Sequence, residues 1–168
     1  FFKNQDVVVV GGGDSAAEEA TYLANLCKKV YLLVRKDTMR ASQIMQKRVF
    51  ETANLTVLFN HETLEVMGSQ TVNQIKVFDN KNNTEKIIKA TGFFLAIGHN
   101  PNTEIFKGQL DMDETGYLIT KSDSSLTNLP GVFASGDAQD SIYRQAITAA
   151  GSGCMAALDA EKYLADIH

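Results

Sequence analysis

A glycine-rich stretch near the start of the chain has the residue types and the spacing that bind a dinucleotide phosphate. Gly11-x-Gly13-x-x-Ala16 follows four consecutive valines and precedes a stretch with helical periodicity. Glycines in such a turn let a pyrophosphate approach backbone N–H groups, and the start of the following helix adds partial positive charge. The motif alone also fits a tight turn that binds nothing, so it needs support from the rest of the sequence.

Ser15 and Glu18, just after the glycines, are open to two interpretations. Ser-x-x-Glu is the capping-box pattern, in which two side chains close the start of a helix. Glu18 therefore has a structural explanation that competes with a role in contacting a cofactor, and the two roles are compatible.

Three cations after the second predicted strand indicate which nicotinamide cofactor is bound. Arg35 and Lys36 end the stretch KVYLLVRK, and Arg40 follows shortly after. An NAD site usually places an acidic residue near the end of this strand for the ribose 2′-OH, whereas an NADP site needs cations for a 2′-phosphate. Arginine holds phosphate through two parallel hydrogen bonds. NADPH is therefore the predicted cofactor, and the alternative is a solvated basic edge with an ion pair to Asp37.

The elements that must position these residues form a parallel α/β unit. The four valines are typical of a strand buried on both faces. The residues with helical spacing after the glycines, which predict one buried helix face, are Ala16, Ala20, Leu23, Ala24 and Cys27. ASQIMQKRVFETA then predicts a second helix and NLTVLF a third strand. TLEVMGSQ, VNQIKVFDN and TEKIIKATG predict an antiparallel meander in place of the next crossover helix, and FFLAIG a further buried strand.

The last third of the chain has its own candidate chemistry. PGVFASGDAQD predicts a short strand that ends at Gly136 and Asp137, where a carboxylate could accept from a sugar-like hydroxyl. A long helix follows, and its start near Arg144, Gln145 and Ala146 could direct backbone N–H groups at an acceptor that becomes negative on reduction. The structural alternative for Asp137 is a turn or N-cap carboxylate.

Composition is that of a soluble intracellular α/β protein, with 44% hydrophobic residues and a formal net charge of −4. No basic surplus points to nucleic acid, and no apolar run is long enough to span a membrane. The chain begins with Phe1 and has no signal-peptide pattern, which suggests a fragment or a processed product. Cys27 and Cys154 lie within helical patterns, which favours buried thiols over a disulfide or a metal site.

Five segments together resemble bacterial-type, low-molecular-weight thioredoxin reductase, and the resemblance covers essentially the whole chain. In order they are GGGDSAAEEA, VRKDTMRAS, FFLAIGHNPNT, PGVFASGDAQD and YRQAITAAGSGCMAALDAE. The resemblance implies a Rossmann-like parallel sheet with flanking helices and the meander, forming an NADPH-binding domain over residues 1–97. Residues 98–168 then resemble the C-terminal segment of a discontinuous FAD-binding domain.

The same resemblance implies contacts to both cofactors. Glu18 would face the nicotinamide half of NADPH, Ile97 would approach NADPH near the hinge, and Asp137 would bind the ribityl chain of FAD. The family usually shows His-Arg-Arg-Asp where this chain has Val34-Arg35-Lys36-Asp37, so three cations remain but a histidine and one guanidinium are lost. The full predicted cofactor-binding set is Gly11, Gly12, Gly13, Asp14, Ser15, Ala16, Glu18, Arg35, Lys36, Arg40, Ile97, Gly98, Gly136, Asp137, Arg144, Gln145 and Ala146.

The activity implied for the parent protein passes electrons from NADPH through FAD to an enzyme dithiol and then to thioredoxin, in a cytoplasmic homodimer. The family's C-x-x-C and its first FAD-binding glycine motif match no part of this chain, so no catalytic residue is assigned and the chain alone is expected to be inactive. Two alternatives stay open. One is a thioredoxin-reductase-like ferredoxin–NADP reductase or other flavoprotein without a dithiol, and the other is an isolated NADPH-binding module.

Overall fold

The chain divides into two units, Phe1–Gly98 and a second unit that begins at His99. The computed structural model describes residues 1–167. The division lies beside the boundary predicted from the sequence, whose assignment to two cofactor domains stays a prediction. Within residues 1–167, no helix has both the length and the apolar character needed to cross a membrane.

The first unit combines a parallel sheet with a small antiparallel one. Its elements are, in chain order, β1 (Asp6–Val10), α1 (Asp14–Ala24), β2 (Lys29–Val34), α2 (Gln43–Glu51), β3 (Leu55–Phe59), β4 (His61–Gly68), β5 (Val72–Asp79), β6 (Thr84–Lys89) and β7 (Gly92–Leu95). The parallel sheet has the order β3-β2-β1-β7, and the antiparallel sheet has the order β4-β5-β6. Both the parallel sheet and the meander predicted from the sequence are confirmed.

The valines of β1 explain how the layers are held together. Val7 and Val9 pack toward the helices, and Val8 packs on the other face of the sheet with Ile75 and Val77 of the meander. All five side chains are fully buried, and each contributes about 1.5–3 kcal/mol relative to an exposed side chain. The meander therefore takes the place of a crossover helix by covering the second face of the sheet.

The start of α1 differs from the prediction. The N-cap is Gly13. Ser15 and Glu18 lie within the helix, and their side chains are exposed. The capping box predicted for these two residues is therefore wrong. The helix begins two residues earlier than that pattern requires, because β1 ends at Val10 and the glycine turn leads directly into α1.

The second unit has a small core and little regular structure before its long helix. It contains two 3-10 turns, Glu104–Phe106 and Gly136–Ala138, and the helix α3 (Ala146–Asp166). The predicted strand ending at Gly136 does not form. Pro130 and Gly131 make a turn, after which the chain forms only an isolated bridge between Leu126 and Phe133. The long helix is confirmed.

The two cysteines lie in different environments. Cys27 is buried, as predicted, although it follows the end of α1 rather than lying within the helix. Cys154 on α3 is exposed, so the prediction of a buried thiol is wrong there. None of the residues of α3 is buried. The sequence pattern predicts a helix, but it does not show how much of the helix surface the rest of the second unit covers.

Candidate functional site

A cavity of about 520 Å³ opens at the carboxyl ends of the parallel strands in the first unit. This is the edge at which open α/β sheets bind ligands. Six residues of the predicted set line it together: Gly11, Gly12, Arg35, Lys36, Arg40 and Ile97. The structure thus brings the glycine turn and the cations to one cavity, although they lie far apart in the sequence.

Two glycines of the turn have different reasons to be glycine. Gly11 has a φ of +154°, and a Cβ there would collide with the carbonyl oxygen of Ala96 and lie 2.7 Å from the Cβ of Ala16. The fold itself therefore requires Gly11. At Gly13 the φ of −96° suits any residue, and a Cβ would meet no atom within 4 Å. Nothing in the folded unit explains the absence of a side chain at Gly13.

The glycine turn also holds the loop that carries the cations. The carbonyl oxygen of Gly12 accepts from the backbone N–H groups of Arg40, at 2.6 Å, and Ala41, at 3.0 Å. Arg35, Lys36 and Arg40 are exposed, and within residues 1–167 no salt bridge joins them to Asp37. The ion pair that would have explained them as a solvated edge is therefore not formed.

The remaining predicted residues of the first unit do not line the cavity. Asp14 directs its carboxylate to the backbone N–H of Ser42 at 2.8 Å, and Ala16 is buried behind the glycine turn. Ser15 and Glu18 are exposed on α1. Gly98 has a φ of +108° and open space around it. Their proposed contacts to NADPH stay predictions.

Sequence reasoning missed one wall of the cavity, formed by His61, Glu62 and Thr63 at the start of β4. The hydroxyl oxygen of Thr63 is buried and has no hydrogen-bond partner among the described residues. β4 follows β3 after a single residue, Asn60, whose φ of +59° lies in the left-handed region. A polar run directly after an apolar strand was the signal that could have found this wall.

His61 belongs to a polar cluster in which it and Asp79 are buried. Its Nδ1 lies 2.6 Å from the carbonyl oxygen of Phe59, and its Nε2 lies 3.7 Å from the carboxylate of Asp79. That carboxylate accepts from Lys86 at 2.8 Å and from the side-chain amide of Asn82. The Lys86 ammonium, and next the Asn82 amide, hold the pKa of Asp79 far below its usual range. The start of β4 is therefore linked to the end of β5 and to β6 through these side chains.

In the second unit, the predicted flavin-contacting residues surround the start of α3. Gly136 donates its N–H to Ser152 of α3 at 3.0 Å, and Asp137 is exposed beside it. Gln145 is the N-cap, and its own N–H donates to the hydroxyl of Thr148 at 3.2 Å. Ala146 is the first helical residue. Whether these groups contact a flavin stays a prediction.

Asp140 organises this helix start and was not predicted. Its carboxylate accepts from the N–H groups of Ile142 at 3.0 Å, Tyr143 at 2.8 Å and Arg144 at 3.0 Å, and from the hydroxyl of Thr148 at 3.1 Å. These bonds, that of Tyr143 first, lower the pKa of Asp140 below its ordinary value. The spacing of an aspartate a few residues before a helix was the available signal.

The sequence is similar to known proteins along most of its length. The family model for pyridine nucleotide-disulphide oxidoreductase matches residues 2–153. Mitochondrial thioredoxin reductase of Kluyveromyces lactis is 55% identical over 168 residues, which are 99% of this chain and 48% of that protein. Thioredoxin reductase of Streptomyces clavuligerus is 53% identical over 165 residues, which are 98% of this chain and 51% of that protein.

Solved structures are similar to this chain over the same share of its length. Thioredoxin reductase from Streptococcus pyogenes superposes with a TM-score of 0.90 at 36% identity, over 99% of this chain and 54% of that one. The enzyme from Giardia duodenalis gives a TM-score of 0.83 at 41% identity, over 98% of this chain and 54% of that one. The chain thus spans about half the length of the relatives it matches.

Proposed function

The chain belongs to the pyridine nucleotide-disulphide oxidoreductase family, and from that premise we propose that it carries the NADPH site and part of the FAD site of a thioredoxin reductase. When both cofactors are bound, NADPH would supply a hydride to FAD, and the electrons would then reduce an enzyme disulfide to a dithiol, which in turn reduces the disulfide of thioredoxin. The role of this chain is to bind and orient the two cofactors. Thioredoxin as acceptor is proposed for the whole protein, because the chain spans only half of its relatives.

The observation that carries the proposal is the convergence of the glycine turn and three cations on one cavity. Gly13 leaves open space at the start of α1, which suits a pyrophosphate close to backbone N–H groups. Arg35, Lys36 and Arg40 supply the positive charge that a 2′-phosphate needs.

Calorimetric titration of the chain with NADPH and with NADH tests the nicotinamide part. Lys36→Ala and Arg35→Ala should each weaken NADPH by about 1–2 kcal/mol, or about 5- to 30-fold, because one charge-assisted contact from an exposed cation is lost. NADH, which lacks the 2′-phosphate, should bind as before. Lys47→Ala is the matched control, since Lys47 is an exposed lysine of α2 that does not line the cavity. Equal loss with both dinucleotides would contradict the assignment.

The flavin part of the proposal rests on the second unit. Asp137 and the start of α3 are exposed, and large apolar side chains of the same helix, among them Ile147 and Leu158, are exposed as well. Such a surface supports contact between α3 and a further part of a flavin domain. The segment around Gly136 would offer the Asp137 carboxylate to the ribityl chain, and the first amides of α3 would face the pyrimidine ring.

Ala146→Pro in the full gene product tests the flavin part cleanly. Proline is favoured at the first helical position. The preceding residue, Gln145, has φ −111° and ψ 148°, the extended conformation that a residue before proline prefers. The substitution should therefore keep α3 and remove one N–H donor, which lowers flavin affinity or shifts the flavin potential. Gln145→Ala should leave the flavin bound. Release of flavin by Gln145→Ala would contradict a backbone contact.

The compartment and the assembly state belong to the proposal only. Relatives include mitochondrial proteins of yeasts, so a cytoplasmic location stays a prediction, and so does a homodimer. The isolated 168-residue chain is expected to bind NADPH measurably and to show neither a yellow flavin spectrum nor NADPH-dependent disulfide reduction.

A further inference from the structure

The loop between β2 and α2 spans residues 35–42. Three consecutive backbone N–H groups at its end donate to Gly12 and Asp14, at the start of α1. Arg40 and Ala41 donate to the carbonyl oxygen of Gly12, and Ser42 donates to the carboxylate of Asp14 at 2.8 Å. At its other end, the carbonyl oxygen of Lys36 accepts from the N–H of Asn60 at 3.1 Å. The backbone from Lys36 to Ser42, which carries the Lys36 and Arg40 cations, is therefore hydrogen-bonded to neighbouring segments at both ends.

Asp14 supplies the only side chain in this set of bonds. It is the first residue of α1, and it is exposed. Ser42, its partner, is the N-cap of α2 and accepts from the N–H of Met45 with its hydroxyl at 3.4 Å. Through Ser42, two residues after Arg40, the carboxylate of Asp14 therefore links the start of α1 to the start of α2.

A negative side chain beside a proposed pyrophosphate site repels every dinucleotide, and it repels NADPH more than NADH because NADPH carries an additional phosphate. An acid in the first turn also stabilises its own helix through the helix dipole, without regard to the ligand. Through neither effect would loss of the carboxylate weaken the binding of NADPH relative to that of NADH. A bond that fixes the loop carrying Arg40 does distinguish them, because only NADPH has the 2′-phosphate which that loop would contact.

We propose that Asp14 is a positioning residue for NADPH selectivity, which acts by fixing the 36–42 loop through the N–H of Ser42. The proposal rests on the 2′-phosphate assignment given above. Asp14 touches neither the cofactor nor the reacting atoms in this role. Its carboxylate oxygen is needed as a hydrogen-bond acceptor, and its negative charge is not.

Three variants of the full 168-residue chain test the role by calorimetry with NADPH and NADH. Asp14→Ala removes the acceptor, and we expect NADPH to bind about 5- to 10-fold more weakly while NADH changes less than about twofold. Asp14→Asn keeps an acceptor oxygen without the charge and should restore NADPH affinity to within about twofold of wild type. Arg40→Ala should weaken NADPH selectively and serves as the test of the underlying assignment.

The outcomes separate the two proposals. Selective loss in Arg40→Ala together with unchanged selectivity in Asp14→Ala overturns the positioning role alone. No selective loss in Arg40→Ala overturns the 2′-phosphate assignment and the positioning role with it. Tighter binding of both dinucleotides in both Asp14 variants overturns the role in favour of simple charge repulsion, and equal loss of both overturns it in favour of a direct contact.

Amide hydrogen exchange keeps the test decisive if Asp14→Ala is less stable. In that variant the N–H of Ser42 should exchange faster, while the N–H groups of Arg40 and Ala41 stay protected by Gly12. Unchanged protection at Ser42 would mean that the carboxylate does not hold the loop, and the proposal would then be wrong.

Discussion

The backbone N–H of Arg144 donates to the carboxylate of Asp140 at 3.0 Å, although Arg144 has a φ of +50°. A residue other than glycine in this left-handed region costs roughly 1–2 kcal/mol. The aspartate offsets that cost by binding three successive N–H groups before α3. The backbone conformation at the helix start therefore depends on one carboxylate.

Asp140→Ala should lower the thermal unfolding midpoint and speed amide exchange at residues 142–144, because three N–H groups lose their acceptor. Adding Arg144→Gly should recover part of the midpoint, since glycine adopts the positive φ without strain. Asp137→Ala, which removes an exposed carboxylate nearby, is the control and should change neither measurement. No recovery in the double variant would mean that the strain at Arg144 is not what Asp140 offsets.

Gly11 and Gly13 should respond differently to the same methyl group. Gly11→Ala should destabilise the chain by about 3 kcal/mol in urea unfolding, because its Cβ would collide with the backbone of Ala96. Gly13→Ala should leave the stability nearly unchanged, yet weaken NADPH and NADH alike by filling the space proposed for the pyrophosphate. If Gly13→Ala bound both dinucleotides normally, the ligand would not approach the turn closely.

Acid should weaken the second unit through Asp159. Its carboxylate accepts from the N–H of Ser125 at 3.0 Å and from the hydroxyls of Ser125 and Ser124, and these bonds, that N–H first, lower its pKa below the ordinary 3.8. A depressed folded-state pKa stabilises the fold above the unfolded value of 3.8, and this contribution is lost as the pH falls below it.

Asp159→Asn should therefore lower the unfolding midpoint at pH 7 and reduce its further fall as the pH drops below about 4. Glu161→Gln is the matched control on the same helix, since no hydrogen bond to its carboxylate is found within residues 1–167. An unchanged acid dependence in Asp159→Asn would place the acid sensitivity in other carboxylates.

The two thiols should differ in reactivity. Burial raises the pKa of the Cys27 thiol and shields it, whereas Cys154 is exposed. A thiol reagent at neutral pH should therefore label Cys154 in the folded chain and reach Cys27 only on unfolding. Cys154→Ser should abolish the rapid labelling, and Cys27→Ser should leave it intact. Rapid labelling at Cys27 would contradict its burial.

The parallel sheet, the meander and the long helix could be predicted, because each depends on a short-range sequence pattern. The valines of β1 and the alternating stretches of the meander indicated two buried layers, because burial imposes periodicity on the sequence. The bond between Gly12 and Arg40 could not be predicted, since it joins two loops whose approach depends on the whole sheet. Ser15 and Glu18 matched a capping pattern, but the helix start was set by the end of β1. The exposure of Cys154 likewise depends on packing rather than on sequence period.

The strand order also determines how the first unit would resist a pulling force. The chain enters the sheet at Asp6 and leaves it at Leu95, and these residues belong to neighbouring parallel strands. Tension applied at the two points would run along β1 and β7 in opposite directions and load their shared hydrogen bonds in shear. All of those bonds must then break together instead of one after another. The first unit therefore opposes tension between these two points in a mechanically strong geometry.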